Sequence, residues 1–275
     1  MASVSLSAIF IRLAQSGSLT IATNRMLASV LLLALPWLVD WRRTRPKISG
    51  HDWRLLVVSG GFLAVHFGLW TLSLAYTSVA SSVVFVTAHP VFVALLEWLW
   101  LRQPPSRLAW SGILLALVGS VVIGAHDLQL GGGALFGDLL ALAGAAAFVG
   151  YLLIGRRVRQ RLGFLAYSVP VYAVSWAGLL VWATLAGENV WRFAPSDLWW
   201  FVLLAVFATI GGHTVFNWSL RHVPASVVAV TLVGEPVGSA LLAWPILGEA
   251  IAPATALGGA LILVGIYLTA RGTRT

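Results

Sequence analysis

The chain is a succession of long apolar runs joined by loops too short to form a soluble domain. A transmembrane helix needs about 20 mostly apolar residues. The breakers delimit ten runs, at 1–15, 20–39, 53–75, 79–100, 107–125, 135–156, 165–186, 197–220, 224–246 and 253–270. Several open on helix-start residues: Pro104-Pro105-Ser106 before the fifth, Pro195-Ser196-Asp197 at the eighth, Pro253 at the tenth. The runs are continuous and do not alternate, which argues against a β-barrel. Only 9% of the residues are charged, against roughly a quarter in a soluble domain. The expected fold is therefore an all-α polytopic membrane protein with ten transmembrane helices. The first run is short and lacks the basic segment and cleavage site of a signal peptide. It is read as the end of a first helix whose beginning is missing from this sequence.

The formal charge is +8, and its placement matters more than its size. Arg42, Arg43, Arg45, Lys47 and Arg54 follow the second run, and Arg102 and Arg107 the fourth. Arg156, Arg157, Arg159 and Arg161 follow the sixth, Arg221 the eighth, and Arg271 and Arg274 the tenth. Of the 17 basic residues only Arg12, Arg25 and Arg192 lie elsewhere. Basic loops stay cytoplasmic, so even-numbered spans end inside and both termini are expected in the cytoplasm. A charge spent this way is no footprint for nucleic acid. Lys47 is the only lysine, so no P-loop exists, and with no cysteine there is neither a disulfide nor a thiolate metal site. No cofactor is expected.

Slid over itself by 146 positions, the chain matches itself from 53–124 onto 199–270. Trp53 falls on Trp199, Pro90-Val91 on Pro236-Val237, Trp98 on Trp244, Gly112 on Gly258 and Gly119 on Gly265. Apolar coincidences are cheap in such a chain; Trp, Pro and Gly coincidences are not. The shift maps spans three to five onto eight to ten, so each half has five spans. An odd number inverts the second half relative to the first. Two inverted five-helix repeats, 1–130 and 131–275, are the expected organisation. Inverted repeats are the usual build of secondary transporters, whose substrate site lies near midplane between the halves.

Specific residues then carry a resemblance. In the first half they are Ser5-Leu6-Ser7-Ala8-Ile9-Phe10-Ile11-Arg12, Asn24-Arg25-Met26, and Thr77-Ser78-Val79-Ala80-Ser81-Ser82 leading to Pro90. In the second they are Pro224-Ala225-Ser226, Glu235-Pro236-Val237 and Leu247-Gly248-Glu249, with Gly258 and Gly265 beyond. Over nearly its whole length the chain resembles the EamA-type ten-helix members of the drug/metabolite transporter superfamily. Among them it looks most like the YddG-type exporters of aromatic and other amino acids. It departs from the pattern where Arg102-Gln103 replaces the usual Gly-Glu. The resemblance implies a multi-pass protein of the bacterial inner membrane that carries a small molecule, here expected to act as a monomer.

Polar groups inside a bilayer are expensive and face a cavity or a partner. In span three, His66, Trp70 and Ser73 fall on one helical face. A midspan His beside a Trp suits a polar substrate group with an apolar side chain; the plain alternative is a His bonded to a backbone carbonyl. Span eight offers Thr209, His213 and Asn217 on one face, and span four Ser78, Ser82, Phe85 and His89. Repeat mates of the last three in span nine are Val228, Thr231 and Glu235. The expected substrate cavity is thus His66, Trp70, Ser73, Ser82, Phe85, His213, Asn217 and Thr231. His89 and Glu235 each precede the repeated proline, and mates approach one another near a pseudo-two-fold axis. Either they form a proton or polar relay, or each bonds backbone that Pro90 or Pro236 frees. Arg12 and Arg25 are read as a structural pair or an interface anchor.

An intramembrane enzyme would need a metal or nucleophile constellation, and neither His-Glu-x-x-His nor Gly-x-Ser-x-Gly occurs. A sensor or scaffold would normally carry a soluble effector domain. A carrier working by alternating access is the expected function, with a medium-sized, partly apolar metabolite as cargo.

Overall fold

A computed structural model describes residues 2–101, 106–129, 132–219, 221–222, 232 and 234–272. Every regular element among them is helical. In order they are α1 (Ala2–Leu13), α2 (Ser18–Thr44), α3 (Gly50–Ser73), α4 (Val79–Val86), α5 (His89–Leu101), α6 (Arg107–Gln129), α7 (Gly133–Arg159) and α8 (Phe164–Leu185). Then come α9 (Asp197–Leu203), a π-helical stretch (Leu204–Thr214) continuing into α10 (Val215–Ser219), α11 (Gly234–Leu247) and α12 (Pro253–Gly272). Among the described residues six helices are long and apolar enough to cross a membrane: α2, α3, α7, α8, the continuous Asp197–Ser219 segment and α12. Shorter apolar helices cover Val4–Leu13, Val79–Val93 and Arg107–Ile123.

The distribution of side chains is inverted relative to a water-soluble protein. On α2, Leu35 is 70% exposed while Arg25 is 1% exposed. Leu31 and Val39 of α2, Leu114 and Val121 of α6 and Leu185 of α8 also face outward. An apolar surface of this extent belongs against lipid. The polar residues Ser59, Ser168, Asn217 and Thr269 point inward, because hydrocarbon offers them no hydrogen bond. At 27 residues, α2 is about 40 Å long at about 1.5 Å per residue. It passes the expected end at 39 and carries Arg42 and Arg43 clear of the apolar stretch.

Two expected spans are not regular helices. The fourth is broken at Thr87-Ala88 into α4 and α5. Pro90 has no N–H to give, and its ring would clash with the carbonyl of Val86. The Thr87 hydroxyl takes up carbonyls of the preceding turn, donating to Val83 at 2.8 Å and Val84 at 3.1 Å. The eighth span is π-helical through its centre. There the Thr214 hydroxyl reaches the Thr209 carbonyl and the Thr209 hydroxyl the Leu204 carbonyl, each five residues back, at 3.2 and 3.4 Å. Such stretches are rare and gather at functional sites.

The tightest helix pair is α6 against α12. A Cβ at Gly112 would lie 2.5 Å from the Gly265 carbonyl oxygen, and one at Gly258 would lie 2.6 Å from that of Gly119. Glycines let the backbones meet where no hydrophobic force drives helices together. The 146-residue shift exchanges the two contacts, turning Gly112–Gly265 into Gly258–Gly119. Other neighbours follow the same exchange: α3 packs on α7 as α1 packs on the π stretch, and α11 on α1 as α4 and α5 on α7.

Replacing Gly265 by Val must push α6 and α12 apart. Overpacking of this kind costs about 1–3 kcal/mol, so the detergent-solubilised protein should melt at a lower temperature. Gly61→Ala, where nothing lies within 4 Å of the added methyl, should not lower it.

Candidate functional site

The breaks in the fourth and eighth spans border one central chamber. The α4–α5 break contributes Thr87 and His89, the π stretch His213, α3 His66 and Trp70, α2 Arg25, and α11 Glu235. The apolar wall includes Phe148 of α7 and Phe216 of α10. The chamber measures about 40 Å³, room for a few water molecules, since one needs about 10–15 Å³ on this measure. Small-molecule pockets run to about 300–1,000 Å³, so loading this one requires its walls to separate.

His66 donates from Nδ1 to the Gly144 carbonyl oxygen at 3.0 Å. A carbonyl only accepts, so Nε2 of the neutral ring remains an acceptor. The plain carbonyl bond is therefore present, and the ring also lines the chamber. The ring stacks on Trp70, with centroids 6.3 Å apart and planes at 15°, and lies 6.0 Å from His213. Phe148 contacts His66 at 4.9 Å and His89 at 5.0 Å. Nε2 of His89, Nδ1 of His213 and the indole N–H of Trp70 are buried without a hydrogen-bond partner among the described residues. Arg25 donates from Nε to the Thr209 hydroxyl at 2.9 Å and from Nη1 to the Ser7 hydroxyl at 3.3 Å.

Of the expected cavity residues, His66, Trp70 and His213 line the chamber, as do His89 and Glu235. No hydrogen bond joins His89 to Glu235 among the described residues. The other ring nitrogen of His89 faces the Val86 carbonyl, which Pro90 leaves free. Four expectations need correction. Ser73 and Ser82 bond each other at 2.6 Å, clasping the end of α3 to α4. Phe85 faces a cleft of about 430 Å³ between α6 and α7, because the break after α4 turns it away from His89. Asn217 points between α7 and α8, where it accepts from the Tyr151 hydroxyl at 2.6 Å and donates to Ser168 at 3.1 Å and Tyr172 at 3.3 Å. Thr231 lies outside the described residues. Arg25, Ser7, Thr87, Phe148 and Phe216 line the chamber as well, beyond the expected set. An arginine inside an apolar run was the available signal for Arg25.

A second ionic cluster lies where α3 ends and α4 begins, lining a cleft of about 680 Å³. Arg12 does not pair with Arg25's surroundings. It binds Oε1 of Glu249 through Nε at 3.0 Å and Nη2 at 2.5 Å, and the Leu74 carbonyl through Nη1 at 2.9 Å. Oε2 of Glu249 accepts from the Val79 N–H at 2.9 Å, capping α4. One glutamate thus ties α1, α4 and the α11–α12 loop together.

The sequence profile of the EamA-like transporter family matches at residues 1–125 and again at 135–271. The chain belongs to the EamA-like transporter family. It is 26% identical to the Bacillus subtilis protein named "Uncharacterized transporter YwfM", over 90% of this chain and 81% of that one. An Archaeoglobus fulgidus protein named "Uncharacterized transporter" is 28% identical over 89% of this chain and 84% of its own. A solved crystal structure shares the fold at TM-score 0.64 and 18% identity, covering all of this chain and 94% of the other. Together with the six long apolar helices, membership of this family makes the chain a multi-pass membrane transporter.

In this member the side of the chamber towards Arg159 is filled by the Asn217 cluster. The Tyr172 hydroxyl also meets the Thr214 hydroxyl at 3.0 Å, and Nε of Arg159 donates to the Asn217 carbonyl at 2.8 Å. Asn217→Leu removes the acceptor of the Tyr151 hydroxyl and the amide donor to Ser168 and Tyr172. Leaving buried polar groups unpaired costs about 1–3 kcal/mol, read as a lower melting temperature in detergent. Trp218→Leu, at a residue 51% exposed, should melt like the parent.

Proposed function

We propose that the chain is a secondary carrier that exports small metabolites, aromatic and hydrophobic amino acids foremost, across the bacterial inner membrane. Its two halves, 1–130 and 131–275, are inverted five-helix repeats that rock about the chamber, opening it to each side in turn. The observation that carries this reading is the chamber itself, which is central, undersized and built from both halves. Ser7, Arg25, His66 and Trp70 come from the first; His213, Phe216 and Glu235 come from the second. The exchanged glycine contacts of α6 and α12 support the inverted relation, and so do the two stretches matched by the family profile. The basic loop ends support a cytoplasmic Arg-rich face with both termini on that side. The aromatic wall and the YddG-type resemblance favour an amino acid with an apolar side chain, carried by a monomer.

Alternating access needs contacts that hold one face shut and then release. On the extracytoplasmic face that role falls to Arg12–Glu249, which joins the halves. The repeat mate of Glu249 is Gln103, so the carboxylate is not duplicated on the cytoplasmic face. The latch therefore acts on one side only.

Uptake of labelled phenylalanine and leucine into proteoliposomes, with and without a pH gradient, tests the substrate assignment. Accumulation dependent on the protein is expected, and uptake of neither would discard the assignment. The latch has a separate readout. The chain has no cysteine, so Ala243→Cys places a single thiol on the wall of the outer cleft, where Ala243 is buried. Glu249→Gln should raise its reaction rate with a membrane-impermeant maleimide about twofold to fivefold, matching a partly exposed ion pair. An unchanged rate would remove the latch from the cycle.

A further inference from the structure

The chamber contains a buried guanidinium with no carboxylate in direct ion-pair contact among the described residues. Arg25 sits within α2 and is 1% exposed. Its two hydrogen bonds go to neutral hydroxyls, Thr209 at 2.9 Å and Ser7 at 3.3 Å. The Phe67 ring lies 4.2 Å from the guanidinium carbon, and a ring face adds attraction without neutralising charge. A guanidinium has five N–H donors, so donors remain for another partner. Neither ion pair among the described residues includes Arg25. An isolated charge in a membrane interior is among the costliest burials a protein makes.

Two other arginines, the exposed Arg12 and the buried Arg159, are supplied differently. Arg12 has the Glu249 carboxylate and a carbonyl. Arg159 has two carbonyls, of Asn217 and Leu162. Arg25 alone of the three is held only by hydroxyls, and it alone borders the chamber. Ser7 and Thr209 hold the fork from α1 and from the π stretch, one on each half, without consuming its charge. Glu235 stands on α11 in the same chamber. The chamber therefore presents one cation, one carboxylate and an aromatic wall.

We propose that Arg25 is the anion anchor of the chamber. It receives the carboxylate of the transported molecule, while Glu235 receives its ammonium and Trp70, Phe148 and Phe216 take its apolar side chain. The ligand class is a zwitterion with an apolar side chain. This rests on the chamber being the transport site. It also excludes ligands that the carrier reading alone leaves open, such as apolar amines and esters. A carboxylate on Arg25 replaces water around the guanidinium, so the loaded chamber can close in a low-dielectric interior at less cost than an empty one.

The test uses the purified full-length protein in detergent, with thermal stabilisation as the binding readout. Four probes share one phenyl side chain: L-phenylalanine, its methyl ester, phenethylamine and 3-phenylpropionate. The two carboxylates should stabilise the protein, and the ester and amine should not. Arg25→Lys keeps the charge but loses the planar fork, and should weaken the carboxylate response roughly tenfold or more, the range for a hydrogen bond to a charged group. Arg25→Gln should abolish it. Glu235→Gln should weaken phenylalanine and leave 3-phenylpropionate unchanged, a readout that survives if Arg25→Gln fails to fold.

An ester or amine as effective as the acid overturns the anchor, as does a failure of every carboxylate to stabilise. The outcomes separate from those for the carrier. Proteoliposomes that carry phenylalanine and its ester equally well keep the carrier and lose the anchor. An Arg25-dependent response to 3-phenylpropionate without transport of any amino acid keeps the anchor and loses the substrate assignment.

Discussion

A guanidinium buried among hydrocarbon-facing helices dictates much of the interior of this protein. Arg25 cannot be hydrated by lipid, so protein groups must surround it. Thr209 comes from the π stretch, Ser7 from α1 and Phe67 from α3. The two helices flanking α2 in the chain and one from the second half thus converge on one of its side chains. The three histidines and Glu235 gather in the same space because they face the same restriction. Hydrocarbon cannot satisfy them, and the outward faces of their helices are apolar.

The irregularities of the helices follow from that convergence. A regular α-helix consumes its own backbone groups and offers a ligand only side chains. At the α4–α5 break Thr87 lines the chamber while its hydroxyl takes up freed carbonyls, and in the π stretch the backbone is re-spaced around Thr209 and His213. The breaks lie at the chamber, and the tight glycine contacts lie away from it, between α6 and α12. A small chamber between tightly packed pairs suits a device whose halves move as bodies. Where α1 meets the α11–α12 loop the contact is a single polar one, Arg12–Glu249, while α6 and α12 are joined by close backbone packing.

The helices themselves were legible because the bilayer imposes a length and a composition on each. The observed ends of α2, α3, α7, α8 and α12 fall within a few residues of the apolar runs, and α2 overshoots because its basic end extends past the hydrocarbon. His66, Trp70 and His213 were legible as cavity residues because a polar group on an otherwise apolar helix needs a partner. Ser73, Ser82 and Asn217 obeyed the same rule but found theirs in one another or in Tyr151, Ser168 and Tyr172. Hydropathy registers the need for a partner; it carries no information about which partner is met.

By itself the sequence determined an all-helical membrane chain, its sidedness signal in the arginines, the internal 146-residue correspondence and the short set of residues too polar to face lipid. Tertiary structure decided which of those residues share a cavity. Side-chain direction along a helix accumulates at about 100° per residue, so an error in helix type is carried to every later position. On a continuous α-helix Phe85 and His89 share a face; the break at Thr87-Ala88 separates them, leaving His89 in the chamber and Phe85 against α6 and α7. The π stretch resets the phase again ahead of Asn217. Arg25 was visible in the sequence as an oddity. Only the packing of α1, α3 and the π stretch around it made that oddity a lining group of the chamber.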